Sequence, residues 1–68
     1  MTKQRYVVYV VRGDIPHLEE ISNSSFKDSS LERVTKGNAW SAFSLSLSED
    51  ELLLLKLSVD YLYIAKFQ

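Results

Sequence analysis

Residues 5 to 11 read Arg-Tyr-Val-Val-Tyr-Val-Val, and both alternating sets of this run are apolar: Tyr6, Val8 and Val10 on one, Val7, Tyr9 and Val11 on the other. In an extended strand the two sets point to opposite faces. β-branched and aromatic residues on both faces suit a strand that is covered on both sides, so the run predicts a central strand of a sheet. That demand falls on a chain of 68 residues. At this size a single core buries roughly 60% of the unfolded surface and leaves marginal stability. The chain has no cysteine, so neither a disulfide nor a thiolate zinc site supplements the packing. One domain, residues 1–68, is expected. A reducing cytoplasmic compartment is the expected location.

Gly13 breaks the first strand, and Asp14 with Pro16 predicts a helix start, because a short acceptor serves free amides and Pro suits the first turn. Ile15, Leu18 and Ile21 recur at spacing three and predict about two turns of helix. Ser22 to Ser30 is rich in residues that hydrogen-bond their own backbone and predicts a loop anchored by Phe26. Residues 31–35 fit either a short edge strand or one helical turn, and the strand is preferred. Gly37-Asn38 predicts a hairpin turn using positive φ. After it, Phe43, Leu45 and Leu47 alternate with Ser44 and Ser46, the pattern of a strand with one buried face.

Ser48-Glu49-Asp50-Glu51 has the form of a capping box, with three acids at the positive end of the helix that follows and Leu47 and Leu52 placed as a hydrophobic staple. That helix is expected over about 49 to 57, and Asp60 to Phe67 at period two predicts a last strand. The order strand, helix, strand, strand, helix, strand resembles the ferredoxin-like split β-α-β arrangement, an α+β fold with a mostly antiparallel sheet. A three-stranded sheet with one or two short helices is the alternative. The basic start and apolar run at Lys3 to Val11 lack a small-residue cleavage site, and Leu52 to Phe67 is cut by Lys56 and Asp60, so neither a signal peptide nor a membrane span is expected.

Two short helices cover one face of a four-stranded sheet. Assigning Val8, Val10, Phe43, Leu45, Leu62 and Ile64 to that face, with Leu18, Ile21, Leu52 and Leu55 from the helices, leaves Val7, Tyr9, Val11, Trp40, Tyr61, Tyr63 and Phe67 on the other. Aromatics with a polar handle dominate binding hot spots. The expectation is therefore a small non-enzymatic module that binds a protein partner or a second copy of itself, through Tyr9, Trp40, Tyr61 and Tyr63, with Leu54 as a further contact on the helix. A regulator or stoichiometric inhibitor, of the kind carried by phages or other mobile elements, is the role such tiny single-domain chains suggest. A homodimeric structural protein is an alternative.

A second alternative rests on Lys36-Gly37-Asn38-Ala39-Trp40-Ser41-Ala42-Phe43, which resembles the octapeptide of the RNA-recognition motif at Lys36, Gly37, Ala39 and Phe43, with Trp40 at an aromatic position. Val8 to Val11 is similar to that family's first-strand hexapeptide, with Tyr9 at the stacking position. The resemblance implies single-stranded RNA held by Tyr9, Lys36 and Trp40. Eight Lys and Arg against nine Asp and Glu supply no basic field for a phosphate backbone, which weighs against nucleic acid.

Chemistry-bearing clusters are sparse. His17 is the sole histidine, and Asp14-x-x-His17 reads as a cap and a surface side chain, so no catalytic residue is assigned. Glu49, Asp50 and Glu51 read as complements to the helix dipole and not as a metal site. No cofactor or small-molecule substrate is expected. Arg12-Gly13-Asp14 and Asn23-Ser24-Ser25 spell an integrin tripeptide and a glycosylation sequon, both short enough to arise by chance, and Ser48 has a sufficient role as a cap without phosphorylation.

Overall fold

The computed structural model describes residues 2–67. β1 (Gln4–Val11) leads through a 3₁₀ turn (Arg12–Asp14) into α1 (Ile15–Ser25). β2 (Glu32–Lys36) and β3 (Trp40–Leu47) form a hairpin, and α2 (Glu49–Ser58) leads into β4 (Tyr61–Lys66). The result is an α+β fold with one four-stranded sheet in the order β2-β3-β1-β4, every neighbouring pair antiparallel. β1 is central, as its doubly apolar run requires. Each helix joins two strands that flank a third, so both helices pass over the same face of the sheet.

The core lies between that face and the helices. Val8 and Val10 of β1, Phe43, Leu45 and Leu47 of β3, Leu18 of α1 and Leu55 of α2 are buried together with Phe26, and Ile15, Ile21, Leu52 and Ile64 pack at its margin. Phe26 anchors the α1–β2 connection as its position in the serine-rich segment predicts. The helix preceding it is longer than expected: Ser22 to Ser25 belong to α1 and not to the loop. Tertiary context accounts for this, because the Ser22 hydroxyl is buried and shares a 2.9 Å hydrogen bond with Ser29 Oγ, which removes its incentive to turn the local backbone.

Three further local expectations are corrected. Asp14 does not cap α1 with its side chain; its Oδ2 accepts the Asp60 amide at 2.7 Å and fastens the start of β4 to the start of α1. Neither Gly37 nor Asn38 takes positive φ. Gly37 is needed for space, since a Cβ there would lie 2.4 Å from the Trp40 carbonyl oxygen that accepts the Gly37 amide at 2.9 Å. The third correction concerns β4. Its pairing with β1 slips between Tyr9 and Val10, so that Tyr61 stands opposite Val10 and Tyr63 opposite Tyr9, with Leu62 as the extra residue of a bulge. Tyr61 therefore packs against the core on the helical side, while Leu62, expected inside, is 55% exposed. Strict alternation fails wherever one residue is inserted.

Candidate functional site

The sheet face away from the helices is built from the other residue set. One row across all four strands reads Thr35, Ala42, Tyr9, Tyr63, and the next, at the sheet's end, holds Trp40 opposite Val11. Tyr9 is flanked on both sides: its ring centroid lies 5.5 Å from that of Trp40 and 6.0 Å from that of Tyr63, with interplanar angles of 53° and 54°. These are tilted aromatic contacts, which hold the rings in fixed relative orientations. Tyr9 is half-buried between its neighbours, while Trp40 is 37% and Tyr63 62% exposed. Large rings are thus presented to solvent from a strand framework and not from a loop.

The other end of the same face is polar. Arg5 of β1 donates from Nη1 to the Ser29 carbonyl (3.2 Å) and Ser46 Oγ (3.2 Å), and from Nη2 to the Ser30 carbonyl (2.7 Å) and Ser44 Oγ (3.0 Å). Glu32 Oε1 stands 3.5 Å from the same nitrogen. One guanidinium fork, always charged and rigid, serves acceptors from β3 and from the α1–β2 connection. It holds that connection in a conformation in which Asp28 and Ser30 take φ of 66° and 54°, a region that side chains other than glycine enter at a cost. Sequence reasoning missed Arg5, because nothing in the chain order shows that Ser29, Ser30, Ser44 and Ser46 converge on it.

Of the expected contact residues, the fold brings together Tyr9, Trp40 and Tyr63. It separates Tyr61, which the bulge turns to the core side, and Leu54, which is 42% exposed on α2 in the helical layer. Lys36, expected beside Tyr9 and Trp40 on the octapeptide resemblance, pairs with Ser41 and so belongs to the row of Val10 on the helical side. The Gly37 to Ala39 segment precedes β3 and is outside the sheet, so the octapeptide contributes to the open face only Trp40 and the buried Ala42.

Elsewhere, His17 Nδ1 lies 3.7 Å from Asp14 Oδ1 at the exposed start of α1, and the other Asp14 oxygen is engaged by the Asp60 amide. Glu49, Asp50 and Glu51 fill the first turn of α2, where Ser48 Oγ accepts the Glu51 amide and Glu51 Oε1 accepts the Ser48 amide, the complete capping box. Among the described residues no three His, Cys, Asp or Glu side chains converge as a metal cluster, and no helix is long and apolar enough to cross a membrane. No family model, curated protein or solved structure matches this chain.

Proposed function

We propose that this chain is a non-enzymatic protein-binding module whose contact surface is the Tyr9–Trp40–Tyr63 cluster, acting as a regulator or stoichiometric inhibitor of its partner, and that its β-α-β-β-α-β chain takes the ferredoxin-like split β-α-β arrangement. The observation that carries the function is that the Tyr9 ring contacts both Trp40 and Tyr63 on the one sheet face no helix covers. Rigid aromatics bury much area at little entropic cost and keep their OH or N–H available to a partner, the combination found at binding hot spots. The strand order β2-β3-β1-β4, with two crossing helices on one face, supports the architecture.

The test is affinity capture from native host extract with the wild-type chain beside Trp40→Ala and Tyr63→Ser. The reading requires a specific protein that the wild type retains and both variants release while their circular dichroism is unchanged. Equal capture by all three would sink it. A second reading, single-stranded RNA, is favoured by the contact of Tyr9 and Trp40 on neighbouring central strands, where successive bases would stack. Trp40 fluorescence separates the two: it responds to short oligonucleotides, with affinity falling steeply as salt rises, only in the RNA case.

A further inference from the structure

Three features of the open sheet face limit what it can hold. The first is its hydrogen-bonding chemistry. The Trp40 indole N–H only donates, and the Tyr9 and Tyr63 hydroxyls each carry a donor. Among the described residues no side-chain hydrogen bond engages any of the three. Tyr9 and Trp40 stand on strands paired on both sides, so the main chain beneath them is engaged within the sheet. The surface meets a ligand with side-chain donors and suits one that brings acceptors.

The second feature is charge. One row of the face is Thr35, Ala42, Tyr9, Tyr63, and in the next Trp40 stands opposite Val11. No charged side chain belongs to either. Toward the Arg5 end the first charge is Glu32, opposite Ser44, and it stands 3.5 Å from the Arg5 guanidinium. The third feature is relief. Tyr9 is half-buried between the more exposed Trp40 and Tyr63, and interplanar angles of 53° and 54° make the three rings a ridged surface and not a flat platform.

We propose that the segment this face recognises is proline-rich and in the polyproline II conformation, seated on Tyr9 between Trp40 and Tyr63. The inference rests on the protein-binding reading of the same cluster and names the chemistry of its partner. A polyproline II chain has no internal hydrogen bonds, so its carbonyls are free acceptors, and each proline lacks an N–H that would need a partner. It needs no charge to bind, and its stiffness lowers the entropic cost of docking on aromatic rings. Other ligands fit less well. An extended strand seeks main-chain partners at a sheet edge, which the strands of Tyr9 and Trp40 are not. A sugar brings hydroxyl donors and meets no carboxylate or amide side chain in these rows, and a phosphate backbone meets no cation there.

The probe is a deca-proline peptide, acetylated and amidated so that it carries no charge, with a Gly-Ser repeat peptide of the same length and the same ends as control. Titration of the isotope-labelled 68-residue chain is expected to move the amide resonances of Tyr9, Trp40, Ala42 and Tyr63 saturably, to leave those of α1 and α2 in place, and to give one affinity at low and high salt. Tyr63→Ala weakens binding at least ~10-fold, and Tyr9→Phe/Tyr63→Phe, which keeps both rings and removes both hydroxyl donors, at least ~3-fold. The dispersion of each variant's spectrum reports that it is folded. An equal response to the Gly-Ser peptide, shifts confined to residues outside the cluster, or indifference to either variant overturns the proposal. So does a short oligouridine that moves these amides where deca-proline does not, since the cluster then stacks bases. Silence toward deca-proline alongside a captured protein that Trp40→Ala releases overturns the proline-rich ligand and leaves the protein-binding reading standing; silence in both experiments overturns the two together.

Discussion

Arg5 shows how much a single side chain carries in a chain this small. Its guanidinium supplies donors to three main-chain carbonyls and two serine hydroxyls, and Ser29 and Ser44 are buried, so these acceptors have little water to fall back on. Hydrogen bonds to a charged group contribute about 1.5–3 kcal/mol, and removing one partner strands the other. Arg5→Ala is expected to destabilise the fold by about 2–3 kcal/mol, read from urea unfolding. Arg5→Lys recovers only part of this, because an ammonium is a point donor and cannot span the fork. In the sequence this residue looks like the basic flank of an apolar run. Its role depends on segments some 24 to 41 positions away, and no local pattern encodes that distance. Gly37 is a milder instance: the sequence marks a turn, and the structure shows that closeness to the Trp40 carbonyl, not positive φ, demands the glycine.

At the scale of the element, α2 is the part most legible in the sequence. The Ser48-x-x-Glu51 spacing predicts reciprocal capping, and both hydrogen bonds form, because capping is decided within four residues. The Glu51 carboxyl is held below its ordinary range chiefly by the hydrogen bond it accepts from the Ser48 amide; desolvation opposes the shift, and Lys3, whose Nζ is 3.3 Å away, reinforces it. A carboxyl with a depressed folded-state pKa stabilises the fold above its unfolded value, 4.5, and that stability is lost as pH falls through the folded value. Thermal melts between neutral pH and pH ~3 are expected to show an acid limb that Glu51→Gln flattens. An unchanged limb would assign the acid sensitivity elsewhere. β4 is the contrary case. Its existence follows from period-two β-prone residues, yet its faces do not, because one bulged residue at Leu62 exchanges the roles of Tyr61 and Leu62 while leaving local propensity untouched.

For the molecule as a whole, smallness sets the terms. At ~0.05–0.15 kcal/mol per residue, a fold of this length has roughly 3–10 kcal/mol of stability in hand. Leu55 is fully buried between α2 and the sheet, while Leu57, two residues on, is 79% exposed. Leu55→Ala is expected to cost about 2–5 kcal/mol, enough to populate the unfolded state at physiological temperature. Leu57→Ser is expected to stay within about 0.5 kcal/mol. Differential scanning calorimetry of the pair checks whether one core supports the domain.

What the sequence by itself determined was the set and order of elements, the central place of β1, the cap of α2 and the buried strip Val8, Val10, Phe43, Leu45, Leu55, because periodicity, capping and turn chemistry act over a few neighbouring residues. Only the tertiary structure decided which aromatics share a surface, where Arg5 spends its donors and where β4 bulges. Those outcomes depend on register and on contacts between segments distant along the chain, and a one-residue slip in a strand reverses them at no local cost.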